Sequence, residues 1–180
     1  EGGLHFRLLL PRLGYAPKWP RIAGDGRTEW PEGPDAMHRP VYTVRDIDPA
    51  GGWLDFDVFL HDGGRVTDWT LNATPGAWVG LMGPSGREGP DAAWIALFGD
   101  DTAMPAMARM LADLPATTQG HAYILLESLE DQQPLRHPQG VTLHWLSRQA
   151  GGDLVDALKL QPFPDADRFV WFAGESSQAA

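Results

Sequence analysis

The chain has 180 residues, a formal net charge of -10 and no cysteine, and a chain of this length can bury one large core or two small ones. The acidic balance argues against a nucleic-acid or anionic-membrane partner, because both surfaces require clustered cations. The absence of cysteine excludes disulfides, thiolate metal ligands, cysteine-held iron–sulfur clusters and a cysteine nucleophile.

The first half of the chain predicts an antiparallel barrel or sandwich of short strands. Glycine- and proline-rich turns, such as Gly83-Pro84-Ser85-Gly86, separate apolar stretches of strand length. Those stretches are residues 4–10, 41–47, 54–60 and 77–82. Residues 11–38 are rich in proline and show little periodicity, which predicts a long ordered loop or an excursion from the barrel.

The second half predicts a parallel sheet with helices on its faces. Residues 93–98 form a continuous apolar run, as expected of a strand that is covered on both sides. Apolar residues recur at helical spacing over residues 104–114 and again, more briefly, over 154–158. Further strands are predicted at residues 122–126, 141–146 and 168–173. Because strands and helices alternate, this half is typical of an α/β unit, and residues 86–90 are the expected boundary.

The generic motifs of several enzyme classes are absent from the sequence. It contains no Gly-x-x-x-x-Gly-Lys-Ser/Thr, which argues against a P-loop nucleotidase. The six histidines show no zinc-ligand spacing, so no metal site is predicted. Gly83-Pro84-Ser85-Gly86-Arg87 lacks the last glycine of a nucleophile elbow, which leaves a hydrolase with little support. No apolar run approaches a membrane span and no segment resembles a signal peptide, so a cytoplasmic location is expected.

A series of short segments carries more specific information. They are Tyr42-Thr43-Val44-Arg45, residues 55–61, Thr67-Asp68-Trp69, Pro75-Gly76, Gly83-Pro84-Ser85-Gly86, residues 99–106, Trp145-Leu146-Ser147-Arg148 and residues 171–175. Each is weak alone, but their order and spacing resemble the siderophore-interacting protein family, flavin-dependent ferric-siderophore reductases of the ferredoxin reductase-like group.

The resemblance implies a two-domain fold that agrees with the periodicity. An antiparallel FAD-binding barrel is expected over residues 1–90, followed by a parallel-sheet NAD(P)H-binding α/β domain over residues 91–180. The family's chains are longer than this one. Both domains are therefore expected to be incomplete, the first lacking N-terminal strands and the second lacking its C-terminal end.

The resemblance assigns one segment to the flavin itself. Its residues are Tyr42, Thr43, Val44 and Arg45. The tyrosine ring can lie against the isoalloxazine, and Thr43 can hydrogen-bond the reactive edge of the flavin, which makes it the predicted catalytic residue. Arg45 can neutralise the pyrophosphate. The family's arginine two residues before the tyrosine is replaced here by Pro40, which makes Arg39 a candidate from a shifted position. An ordinary amphipathic strand is the alternative.

The resemblance also assigns the turn after His61 and the following helix to the FAD phosphates. The candidate contacts are His61, Val66, Thr67 and Trp69. Thr67 is expected to cap the helix, whose N-terminus suits a pyrophosphate because of its free N–H groups and dipole. A strand-end polar role for His61 and a solvated loop arginine at Arg65 are the alternatives.

The nucleotide contacts are expected where the parallel strands end, since open α/β sheets bind ligands there. The resemblance assigns Gly99, Asp100, Thr102 and Ala103 to NAD(P)H and places Gly174 and Glu175 near the nicotinamide and flavin. Backbone groups and Thr102 are favoured as the contacts, because the carboxylates would repel a phosphate. Structural helix starts are the alternative at both places. Glu127, Asp131 and Gln132, with Arg148 nearby, leave the choice between NADH and NADPH open.

The resemblance implies reduction of ferric siderophores, with electrons passing from NAD(P)H through FAD and iron being released. The alternatives are a general flavin or ferric reductase, a flavoprotein served by a ferredoxin-like donor, and a non-redox chelate-binding protein. The family binds anionic chelates with a basic cluster, whereas this acidic chain has only two lysines, Lys18 and Lys159. Either the basic residues lie outside this chain or the chelate is neutral or cationic.

Overall fold

The computed structural model describes residues 5–86, 89–165 and 167–174. The elements of residues 5–86 are β1 His5–Leu9, β2 Arg21–Ile22, β3 Thr28–Glu29, β4 Val41–Thr43, β5 Asp46–Asp48, β6 Trp53–Asp55, α1 Arg65–Asn72 and β7 Gly80–Ser85. Those of the later residues are β8 Trp94–Asp100, α2 Met104–Asp113, β9 Gln119–Leu126, β10 Val141–Ser147, α3 Leu154–Leu160 and β11 Arg168–Ala173. Within the described ranges, no helix has both the length and the apolarity needed to cross a bilayer.

Residues 5–86 form small antiparallel sheets around one core. β1 lies between β4 and β7, while β5–β6 and β2–β3 form separate hairpins. The alternation along β1 turns Phe6 and Leu8 inward, where they join Val44 and Val66 in a buried cluster. Val66 belongs to α1, so this core also holds the helix against the strands.

Residues 94–173 form a four-stranded parallel sheet in the order β10-β9-β8-β11. α2 connects β8 to β9, and α3 connects β10 to β11 on the far side of β8. The strand order therefore reverses between β8 and β11, where Ala173 lies opposite Gly99. In open α/β sheets this reversal opens a crevice at the carboxyl ends of the strands.

The parallel sheet is buried on both faces. Ile95 and Leu97 of β8 pack in the cluster that contains the apolar residues of α2. Ala96 and Phe98 face the opposite way, into the cluster that contains Leu154 of α3. The continuous apolar run of β8 is thus explained by two covering layers, and the predicted fold class, antiparallel sheets followed by a parallel α/β unit, is confirmed.

Several strand predictions in the first half are wrong in detail. The predicted strand over residues 54–60 is a strand only at Trp53–Asp55, and the one over residues 41–47 is divided into β4 and β5. The predicted turn at residues 83–86 lies mostly inside β7, where Ser85 pairs with His5. Alternation reports only the direction of side chains, whereas a strand also needs a neighbouring chain to pair with.

Candidate functional site

A cavity of about 610 Å³ lies between the two halves of the chain. Its walls are Pro40, Val41, Tyr42, Thr43, Asp57, Val58, Phe59 and His61 from the first half, and Asp101, Thr102, Met104, Pro105, Leu126, Glu127, Asp131 and Gln133 from the second. The second group follows the carboxyl ends of β8 and β9, the place where open α/β sheets bind ligands. The cavity therefore joins the predicted flavin strand to the predicted nucleotide edge.

The strand β4 presents two of the predicted flavin residues to this cavity, Tyr42 and Thr43. The Tyr42 ring lies 5.3 Å from that of Phe56, which fixes its plane. Burial raises the pKa of the Tyr42 phenol, so the group stays neutral. Val44 faces the core and is only 2% exposed, and this buried side chain anchors the end of the strand.

The two predicted phosphate arginines have other partners within the described residues. Arg45 donates to Oε1 of Gln133 at 3.3 Å and lies 3.6 Å from the carboxylate of Asp57. It therefore ties together one cavity residue from each half. The guanidinium of Arg39 lies 4.2 Å above the ring of Trp30 and faces a separate cavity of about 620 Å³.

A further cavity of about 450 Å³ lies at the start of α1. His61 borders both this cavity and the larger one, so the two are neighbours. The helix begins at Arg65, its N-cap is Gly64, and no side chain caps its first turn. The prediction that Thr67 is the N-cap is wrong, because Thr67 is already inside the helix and its hydroxyl accepts the backbone N–H of His61 at 3.2 Å.

The glycine at the start of α1 lets the side chains of His61 and Thr67 lie close to the backbone of the turn. A Cβ at Gly64 would lie 2.7 Å from Cε1 of His61 and 3.1 Å from Oγ1 of Thr67. The first-turn N–H groups and the dipole of α1 favour a phosphate at this point, and the neighbouring cavity offers an aromatic wall for a planar ring. The residues present therefore fit a flavin dinucleotide. Val66 and Trp69 pack on the core of residues 5–86 and hold the helix in place.

The turn after β8 is shaped by a buried carboxylate. Asp100 is 3% exposed and accepts the Thr102 N–H at 3.0 Å, the Thr102 hydroxyl at 2.6 Å and the Ala103 N–H at 3.1 Å. Its other oxygen lies 3.7 Å from Arg148. Asp100 does not itself line the cavity. It positions Thr102, which does. A Cβ at Gly99 would lie 2.5 Å from the sulfur of Met107, so this glycine lets α2 approach the sheet.

The arrangement around this turn also affects the ionisation of Asp101. Burial is the main cause that raises the pKa of Asp101, and the neighbouring charges of Asp100 and Glu127 act in the same direction. Arg148 and the Thr102 N–H oppose them. The cavity wall at this edge therefore disfavours additional negative charge.

The structure gathers the predicted residues Tyr42, Thr43, His61 and Thr102 around the main cavity. Gly174 lies directly after β11, at the strand reversal, and Glu175 lies outside the described residues. Three wall residues of the first half, Asp57, Val58 and Phe59, were missed, as were Met104, Pro105 and Gln133 of the second. The signal that could have found Gln133 is its position shortly after a buried parallel strand, where Glu127 and Asp131 were already noted.

Comparison with known proteins gives consistent matches over both halves. The family model of the siderophore-interacting FAD-binding domain matches residues 1–88, and that of the siderophore-interacting protein matches residues 92–180. The ferric vibriobactin reductase of Vibrio cholerae is 30% identical over 98% of this chain and 67% of its own length. The NADPH-dependent ferric-chelate reductase of Escherichia coli is 31% identical over 95% of this chain and 68% of its own length.

Solved structures show the same likeness. A siderophore utilization protein from T. fusca matches with a TM-score of 0.82 and 29% identity, covering 99% of this chain and 70% of the other. The siderophore-interacting protein from Aeromonas hydrophila matches with a TM-score of 0.77 and 28% identity, covering 98% of this chain and 73% of the other. Both matches cover nearly the whole chain, so the likeness in fold extends over both halves.

Proposed function

Because the chain belongs to the siderophore-interacting protein family, we propose that it reduces ferric siderophores with electrons from NAD(P)H through FAD. The observation that carries the proposal is the cavity that β4 and the carboxyl ends of β8 and β9 build together. It brings β4, the strand assigned to the flavin, against the edge where nucleotides bind in open α/β sheets. Relatives named as a ferric vibriobactin reductase and a ferric-chelate reductase support the substrate class.

The oxidation of one NAD(P)H supplies the two electrons that reduce two ferric ions. One NAD(P)H gives up a hydride, equivalent to two electrons and a proton, and each ferric chelate accepts one electron to become ferrous. When bound, FAD supplies the change from two-electron to one-electron chemistry. The ferrous ion has a smaller charge, so anionic oxygen donors hold it less tightly and iron is released.

The residues of this chain act by binding and orientation. When FAD is bound, the Tyr42 ring would form a wall beside the isoalloxazine, and the hydroxyl of Thr43 would donate a hydrogen bond to the reactive edge of the flavin. His61, Gly64 and the first turn of α1 receive the pyrophosphate. No side-chain acid or base is required by this scheme, because the electron transfer belongs to the cofactor.

On the nucleotide side, Thr102 and the neighbouring backbone groups contact NAD(P)H at the end of β8. Asp100 and Ala103 act behind them by holding the turn, and Gly99 acts by letting α2 approach the sheet. Gly174 lies at the strand reversal, where its lack of a side chain would leave room for the nicotinamide. With these roles, residues of the second half would hold the hydride donor and residues of the first half its acceptor.

The test uses the complete protein reconstituted with FAD. NADH or NADPH is added without oxygen, and loss of flavin absorbance is followed before a ferric chelate and a ferrous-specific dye are added. We expect bleaching by a nicotinamide, recovery by the chelate and two ferrous ions per nicotinamide oxidised. A protein that never retains flavin would refute the proposal, and flavin that neither nucleotide reduces would favour the ferredoxin-like donor.

A matched pair of variants tests the role of Thr43. Thr43→Ser keeps the hydroxyl and should retain most of the flavin reduction rate, whereas Thr43→Val has the same shape without it. We expect Thr43→Val to slow flavin reduction by roughly 10-fold or more, because one hydrogen bond to the reactive edge is lost. Equal rates in the two variants would show that the hydroxyl takes no part.

A further inference from the structure

A polar bridge joins the two halves of the chain at the main cavity. The guanidinium of Arg45 donates to Oε1 of Gln133 at 3.3 Å and lies 3.6 Å from the carboxylate of Asp57. Both partners line the cavity, Asp57 from the first half and Gln133 from the second. Within the described residues, no hydrophobic cluster contains residues of both halves. The bridge is therefore a contact that can set the spacing of the two walls.

Arg45 is held firmly on the side of the first half. Its backbone N–H donates to the carbonyl of Asp55 at 2.7 Å, and the preceding residue, Val44, is buried in the core. The Arg45 side chain is only 26% exposed, and the carboxylate of Asp57 lies beside it. Because these contacts already restrict the side chain, it loses little further freedom when it donates to Gln133.

The segment after β9 that contains Gln133 is ordered by contacts of its own. Before Gln133, Ser128 and Asp131 form a capping box around a short 3-10 helix. Two residues after it, Leu135 packs against the cluster that includes the apolar residues of α2. Because both flanks are anchored, the bond from Arg45 to Gln133 fixes the position of the whole segment relative to the first half.

We propose that Arg45 is a positioning residue, which holds the nucleotide half against the flavin half through Gln133, rather than a ligand of the FAD pyrophosphate. The segment after β9 lies at the edge where nucleotides bind in open α/β sheets. Hydride transfer depends steeply on the alignment of donor and acceptor, and the proposed function assigns these to different halves. The bridge restricts the relative motion of the halves before the nucleotide arrives. This inference rests on the proposed function and adds a residue that orients its reactants.

A matched set of variants at the acceptor tests the bridge. Gln133→Leu removes the acceptor at similar size, and Gln133→Glu keeps an oxygen that Arg45 can reach. Gln139→Leu makes the same chemical change at an exposed residue of the same segment that does not line the cavity. Reduction of the flavin in the complete, FAD-loaded protein is followed in single turnovers at saturating NADH or NADPH. We expect Gln133→Leu to slow it by roughly 3- to 10-fold, the worth of one hydrogen bond, whereas Gln133→Glu and Gln139→Leu should retain most of the rate.

Two readouts other than activity separate positioning from a phosphate contact. Arg45→Met should leave the affinities for FAD and riboflavin nearly unchanged, whereas loss of a pyrophosphate ligand would weaken FAD by roughly 10-fold or more and spare riboflavin. The second readout is a double-mutant cycle of Arg45→Met and Gln133→Leu in the flavin-free protein. Because the two residues are bonded, the shift of the urea midpoint in the double variant should be smaller than the sum of the single shifts.

The outcomes separate this inference from the proposed function. A wild-type rate in Gln133→Leu, an equal loss in Gln133→Glu, or a selective loss of FAD affinity in Arg45→Met refutes the positioning role, and the reductase function stands. Additive midpoint shifts in the cycle also refute it. If the wild-type protein retains no flavin, or if neither nucleotide reduces the flavin, the proposed function fails, and the role of Arg45 in hydride transfer fails with it.

Discussion

Substitution of Gly64 by alanine is expected to weaken FAD binding and to leave the folded state almost as stable as before. Gly64 has φ -81 and ψ 129, an extended conformation that alanine adopts freely. Its new Cβ would lie 2.7 Å and 2.8 Å from Cε1 and Nε2 of the His61 ring. That ring must retreat by about 1 Å to restore ordinary contact distances.

The magnitude follows from what the methyl group would displace. The methyl group and the displaced His61 ring would crowd the first turn of α1, where we propose that the FAD phosphates bind. The loss of one hydrogen bond to a charged group costs about 1.5–3 kcal/mol, which corresponds to roughly 10- to 100-fold in the FAD dissociation constant. Stability should change by less than about 1 kcal/mol, because His61 is exposed and can move.

Gly63 supplies the matched control. Its φ is +75, and a Cβ there would meet nothing within 4 Å. Alanine is strained in this left-handed region by about 1 kcal/mol, but it does not enter the space beside the helix. Gly63→Ala should therefore lower stability more than Gly64→Ala does, while changing FAD affinity less.

The assays are flavin fluorescence titration for affinity and urea unfolding of the flavin-free protein for stability. Riboflavin is titrated in parallel, because it has the flavin ring without the phosphates. Gly64→Ala should weaken FAD and spare riboflavin. Wild-type FAD affinity in Gly64→Ala, or an equal loss of FAD and riboflavin, would show that the phosphates do not bind at the start of α1.

Three further predictions concern stability. Gly120→Ala should destabilise the protein by more than about 3 kcal/mol in urea unfolding, because φ is +138 and a Cβ would overlap the carbonyl oxygen of Ile95. The control is Gly140→Ala, which should cost far less because its Cβ would meet a flexible glutamine side chain. Burial is the main cause that raises the pKa of Asp101 in the folded state. Above about pH 4 the unfolded state therefore binds fewer protons than the folded state, and the free energy of unfolding falls as the pH rises. Asp101→Asn should be more stable than wild type at neutral pH and equal to it near pH 3. Burial and then a neighbouring histidine lower the pKa of His144, so stability should fall as pH drops below about 6.5, and His144→Asn should flatten that slope between about pH 7.5 and pH 5.5. A Gly120→Ala protein of wild-type stability, or pH profiles that the other two substitutions leave unaltered, would contradict these expectations.

Local pattern was sufficient to predict the parallel half of the molecule. A strand that is covered on both faces needs apolar residues at every position, and β8 shows this with Ile95 and Leu97 toward one helix layer and Phe98 toward the other. The antiparallel half was less predictable. Phe56 is partly buried against the core although its segment pairs with no strand in the described residues, so apolar alternation there misidentified the backbone conformation.

The sequence alone determined the fold class and four of the residues that line the cavity. Motif order identified the family, and Tyr42, Thr43, His61 and Thr102 all line the cavity, because each follows a strand or turn whose local chemistry is distinctive. The matches with the two family models confirm that identification.

Only the tertiary structure decided which residues from the two halves share a site, and with what charge. The contact of Arg45 with Gln133 spans 88 positions, and no local pattern predicts such a pair. The same approach of the two halves brings Asp57 to the cavity that the carboxylates following β8 and β9 also line. The electrostatic potential in a cavity depends on the distances between its charged side chains. The packing of the two halves sets those distances.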